Sequence, residues 1–257
     1  MIKTLFTLRF GFVLLLVAIF FTPTGSAAPI QATSQTLRLP GGTEVPLSVF
    51  AAKGKTLLIW LPSESGVVAA EHKAAAELAK SGIEVWLPDM HAAYFLPIVP
   101  SSMAQISRSD VARLISLAQQ RGKNVYLATG GSGAALALQA AAQLGKSKNP
   151  VRGAILFSPN LFVGTPDPGD EAKYLPVASR TRLPIFILQP EYSPWKWRVD
   201  ALQSRLRQGG SQVKVKFLPG VRDRFYYREN ASPPERALAL RLPQLVLNAL
   251  KSLEEKH

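Results

Sequence analysis

The sequence predicts an α/β domain built on a predominantly parallel sheet with helices on both faces. Three observations carry that expectation. Short apolar runs of strand length recur at 56–62, 83–88, 124–129, 153–159 and 184–190. Segments with helical spacing and glycine stops separate several of them. The 257 residues are 47% hydrophobic, enough for the core of one such domain, and strands alternating with helices give a parallel sheet covered on both sides.

Each element has its own local reason. Residues 34–50 read as two strands around a Pro-Gly-Gly turn. The run TLLIWLP at 56–62 is a buried strand, and 68–82 is a helix stopped by Gly82. The strand IEVWLP follows, then a helix over 109–122 that Ser109 would cap and Gly122 would end. Strand 124–129, helix 133–145 and strand 153–159 come next. The stretch 160–183 is rich in Pro, Gly and Asp and reads as a reduced lid or cap. After strand 184–190 come helix 200–210, the alternating edge strand 212–219, and a closing helix over 234–253 that Pro243 would kink.

The first 27 residues stand apart. Lys3 and Arg9 precede an uncharged apolar stretch, Phe10 to Phe21, and small residues close the segment. This is the pattern of a secretory signal peptide, with cleavage expected after Ala27 and Gly25 as the second small residue. The apolar stretch is shorter than the ~20 residues that cross a bilayer, which disfavours the alternative of an uncleaved membrane anchor. The domain would then occupy 28–257, exported to a periplasm or the medium. Cysteine is absent, so disulfides, thiolate metal sites and cysteine nucleophiles are excluded. The formal charge is +13, and removing Lys3 and Arg9 leaves +11. Such a chain would meet anionic envelope surfaces. The basic residues are scattered and form no nucleic-acid motif, so nucleic acid is not an expected partner.

The chemistry centres on the turn after strand 124–129, the segment Gly130-Gly131-Ser132-Gly133-Ala134. A dinucleotide loop fails, because Leu136 holds the third glycine position and the next acid is Asp167. A phosphate loop at 145–147 fails too, because its first glycine would fall on Ala140 inside a helix. What remains is a strand-turn-helix elbow of the form G-x-S-x-G with Ala last. Ser132 would sit in a strained backbone conformation, and the following helix N-terminus would favour an oxyanion.

On these residues the chain resembles the α/β-hydrolase family, in a three-layer sandwich that spans most of the part after residue 27. The resemblance implies a serine triad in the chain order Ser, Asp or Glu, His. Ser132 fits the nucleophile. The acid position falls on Ser193 in PEYSP, with Glu191 two residues earlier as a substitute. The histidine position falls in PGVRDRF, which holds Arg222, Asp223 and Arg224 and no histidine. Of His72, His91 and His257, only His91 stands at the carboxyl edge of the sheet.

Two functions follow. In the first, Ser132 hydrolyses a small acyl ester, His91 replaces the missing base, and Asp89 or Glu191 orients it. Gly133 and the Ser63–Glu64 loop would supply the oxyanion donors, unless the Glu64 carboxylate points inward. The bland alternatives are a loop histidine bonded to backbone and an Asp89 that caps a turn. In the second, the fold persists as a pseudo-hydrolase that binds a ligand or a protein. Arg222, Asp223, Arg224 and Tyr226 would then hold an anionic or aromatic ligand, or Asp223 would merely pair with a neighbouring arginine. Neither reading calls for a metal or an organic cofactor.

Overall fold

The computed structural model describes residues 31–144, 149–167 and 169–255. The leader expectation at 1–27, the glycine-lysine-serine stretch at 145–147 and His257 lie outside them. Eight strands form one sheet in the order β1-β2-β4-β3-β5-β6-β7-β8. They are β1 (Thr33–Arg38), β2 (Glu44–Phe50), β3 (Thr56–Trp60), β4 (Glu84–Pro88), β5 (Asn124–Gly130), β6 (Gly153–Phe157), β7 (Ile185–Pro190) and β8 (Val213–Leu218). β2 is antiparallel to both neighbours, and every other pairing is parallel. The predominantly parallel expectation holds, with the first hairpin forming one edge.

Successive residues of the inner strands feed two half-cores. Leu57, Ile59, Val125, Leu127, Leu156 and Ile187 face α3 (Arg108–Gln119), α4 (Gly133–Gln143) and α5 (Val199–Gln208). Leu58, Trp60, Tyr126, Ile155, Phe157 and Leu188 face α1 (Ala69–Lys80) and α7 (Leu242–Glu254). Strands buried on both faces have no room for polar alternation, which is why they read as continuous apolar runs.

Two boundaries differ from expectation. α3 is capped by Ser107, whose side chain accepts the Asp110 N–H, so Ser109 lies inside the first turn. The closing helix is two helices, α6 (Pro233–Leu240) and α7, with the break at Arg241. Pro243 sits in the first turn of α7, where its missing N–H costs nothing. Some short elements were not expected: α2 (Met90–Ala93), a single turn packed on β2, and 3-10 turns at Pro100–Gln105, Pro176–Ser179 and Lys196–Arg198. The stretch 160–183 is anchored at its two ends, with most of the described residues between 163 and 171 exposed. Leu161 and Ala178 are fully buried, and Phe162 bridges to Tyr174. Among the described residues no helix is long and apolar enough to cross a membrane.

Candidate active site

The turn between β5 and α4 is built one residue out of the expected frame. The left-handed backbone belongs to Gly131, at φ 50°. Ser132 is relaxed, at φ −70° and ψ −18°, and serves as the residue preceding α4. The close approach also shifts. A Cβ on Gly133 would collide with Thr129 Oγ1 and lie 2.6 Å from the Pro62 carbonyl oxygen. A Cβ on Gly130 would meet nothing nearer than 3.5 Å. The strained apex is therefore Gly131, flanked two residues before by Thr129 and two after by Gly133. The expectation of a strained Ser132 is corrected: the paired glycines allow either frame, and the tight contact at Gly133 selects this one.

The N–H that follows the apex is that of Ser132, not Gly133, so the oxyanion assignment to Gly133 is corrected as well. That N–H is taken. Glu64 Oε2 accepts it at 2.9 Å, and Glu64 Oε1 accepts from the Arg224 guanidinium at 2.9 Å. The carboxylate does point inward. Gly131 makes this fit, since a Cβ there would fall within 2.6 Å of Glu64 Oε1. A helix N-terminus plus an arginine is a favourable seat for a carboxylate. Ser63 holds the turn that carries Glu64, its Oγ accepting the Ser65 N–H.

Ser132 borders a cavity of about 390 Å³ whose walls include Glu64, Gly131, Ser158, Asp223, Arg224 and Tyr226. A second cavity of about 420 Å³ shares Pro100, Ser132 and Asn160 with it and continues past Ile106, Leu136 and Phe162. Among the described residues no histidine lines either. His91 is buried in α2, with 2% of its surface exposed, and neither ring nitrogen finds a hydrogen-bond partner. Burial lowers its pKa, with Asp89 opposing. Asp89 caps α2 by accepting the Ala92 N–H. His72 packs edge-on against Phe50. Glu191 accepts the Gly220 N–H and ties the loops after β7 and β8 together. The expected grouping of His91, Asp89 and Glu191 around Ser132 does not form.

The two later positions implied by the resemblance do meet. Ser193 Oγ donates to Asp223 Oδ2 at 3.0 Å, and Ser158 Oγ lies 3.2 Å from Ser193 Oγ. Burial raises the Asp223 pKa, opposed by the Ser158 and Ser193 hydroxyls. Arg222 turns away: its guanidinium grips both Glu235 oxygens, at 2.8 and 2.7 Å, and fastens the loop after β8 to α6. Those hydrogen bonds hold the Glu235 carboxyl far below the usual range. Arg222 thus leaves the set of binding candidates, and Arg224 stays in it already paired. Ser158 and Arg224 both adopt positive φ, 44° and 63°, a strain that gathers at functional sites.

One group was not anticipated. Glu71 is 2% exposed beneath Tyr226, whose hydroxyl donates to its Oε1 at 3.4 Å, while Oε2 accepts the Val68 N–H. Burial pushes its pKa up to about 8. A glutamate at the start of a helical run carries no mark in sequence that its cap would be buried.

No protein-family model matches the chain, and no curated protein does. Solved structures do resemble it. Esterase 2 of Thermogutta terrifontis superposes with a TM-score of 0.61 at 13% identity, covering 90% of this chain and 98% of that one. Carboxyl esterase 2 of the mycorrhizal fungus Tuber melanosporum gives 0.62 at 12%, covering 88% of each. A bacterial heroin esterase gives 0.60 at 16%, covering 88% and 87%. At such identities the likeness carries the fold.

Proposed function

We propose that this chain, an α/β-hydrolase by fold, is a catalytically silent binding protein exported to the cell envelope. The observation that carries the reading is the Glu64 carboxylate on the Ser132 N–H, beside an apex that is glycine. Acyl transfer needs a nucleophile at the apex, a base beside it and a free donor for the developing oxyanion. Here the apex has no side chain, no histidine among the described residues lines the cavity, and a negative group occupies the donor. The cavity itself persists, walled by polar and aromatic side chains that suit a small ligand. Export rests on the leader pattern at 1–27.

One observation favours weak ester hydrolysis instead. The Ser132 side chain caps nothing and borders both cavities. Treatment with a fluorophosphonate, followed by intact mass, separates the two. The binding reading expects no adduct under conditions that label a control esterase. A stoichiometric adduct that Ser132→Ala abolishes overturns it and makes Ser132 the nucleophile.

A further inference from the structure

Among the described residues eight large apolar side chains stand exposed. Six of them, Phe95, Ile98, Val99, Val163, Tyr192 and Trp197, lie on the loops that follow β4, β6 and β7. Those three strands run parallel, so the loops leave the sheet at the same edge. Other residues of the same loops line the two cavities, while Trp197 lines a separate one with Glu171 and Arg205. Pro100 lines the first cavity together with Trp195, and the second together with Phe162.

Phe95 is the most telling. It is 95% exposed and holds a positive φ of 53°. A left-handed non-glycine residue and a phenyl ring in water are both unfavourable, and no described residue covers the ring. Nor is its loop slack. The Tyr94 hydroxyl donates to Asp110 at 2.5 Å, Leu96 N–H donates to the His91 carbonyl, and Ser102 Oγ donates to the Pro97 carbonyl at 2.6 Å. The ring is held outward. Trp197, 84% exposed, has the Lys196 ammonium 5.2 Å from its ring centroid. Aromatic rings beside a cation suit a lipid–water interface, where the rings lie at headgroup level and the cation meets phosphate.

We infer that this edge of the sheet docks on an anionic phospholipid surface, with Phe95, Ile98 and Trp197 entering the headgroup layer. The chain from residue 28 carries +11, which favours an anionic surface, and Lys196 sets a cation beside Trp197. A protein partner fits less well, because the six side chains are spread over three separate loops. The inference does not depend on whether Ser132 is reactive.

The test is flotation with vesicles of equal parts phosphatidylglycerol and phosphatidylcholine, and with phosphatidylcholine alone. The chain used begins at residue 28, since every described strand and helix lies within 33–254. Flotation with the anionic vesicles is expected, with a loss of about tenfold in the triple variant Phe95→Ser, Ile98→Ser, Trp197→Ser at unchanged melting temperature. Brominated phosphatidylglycerol should quench tryptophan emission in the wild type more than in Trp197→Phe, a readout that needs no folded triple variant. Three results overturn the inference: no flotation of the wild type, equal flotation of the triple variant, or equal quenching of both proteins. Self-association that the triple variant removes, without vesicle binding, assigns the face to a second copy of the chain.

Discussion

Gly133 decides how the turn after β5 is read. A methyl there would overlap Thr129 Oγ1 and the Pro62 carbonyl, whereas one on Gly130 would make ordinary contacts. Gly133→Ala should therefore cost about 1–3 kcal/mol, and Gly130→Ala should leave stability nearly unchanged, in paired urea melts. Equal costs at the two positions would restore the frame with Ser132 at the apex. Glu71 makes a second prediction. Its pKa is about 8 in the folded chain against an ordinary 4.5, so the folded state holds a proton that the unfolded state releases between those values. Stability is then fully present below about pH 4.5 and falls as pH rises toward 8, by an amount on the order of 5 kcal/mol. Glu71→Gln should flatten that decline, which melting curves at pH 5, 6.5 and 8 would reveal. A wild type as stable at pH 8 as at pH 5 refutes the assignment. Residue types in the sequence pointed to a serine-bearing turn beside the Ser63–Glu64 loop, offered His91, Asp89 and Glu191 as partners that do not gather there, and left open which way Glu64 faces. The contact that fills the turn joins Glu64 to Ser132 across 68 positions, and no local spacing encodes it.

At the scale of elements the legible parts were those whose signal is local. β3, β5, β6 and β7 are buried along nearly their whole length, and burial on both faces writes itself as an unbroken apolar run. Helix ends were harder, because neighbouring residues compete to cap. Around α3 the segment Ser107-Arg108-Ser109-Asp110 offers two serines. Only Ser107 places an acid three residues later, and that pairing is the signal that would have selected it. Ser107→Ala should cost about 1 kcal/mol and Ser109→Ala close to nothing. The reverse order in thermal melts would move the cap back to Ser109. The segment 160–183 was recognised as irregular but not as anchored. Its anchors are Leu161, Phe162 and Ala178, apolar residues too widely spaced to read as an element.

For the whole molecule, the arrangement of the sheet concentrates unusual features at one edge. Among the described residues the three non-glycine ones with positive φ, Phe95, Ser158 and Arg224, all lie on loops leaving the carboxyl ends of parallel strands. The same edge carries the two cavities that Ser132 borders and most of the exposed apolar side chains. A scaffold that keeps its strain and its apolar surface together has a face to present, and presenting it outside the cell requires the leader to work. Three features carry that leader reading: the cations Lys3 and Arg9, the uncharged Phe10 to Phe21 stretch, and the small residues Gly25 and Ala27 before the cut. The exported chain should begin at Ala28 and carry +11 of the +13. Ala27→Leu places a bulky side chain where a small one is needed and should leave the precursor in the membrane fraction. Amino-terminal sequencing of the soluble envelope fraction reads the first outcome, and fractionation of the variant reads the second. Recovery of both proteins uncleaved in the membrane would make 1–27 an anchor, and would place the docking edge of the sheet against a bilayer to which the chain is already tied.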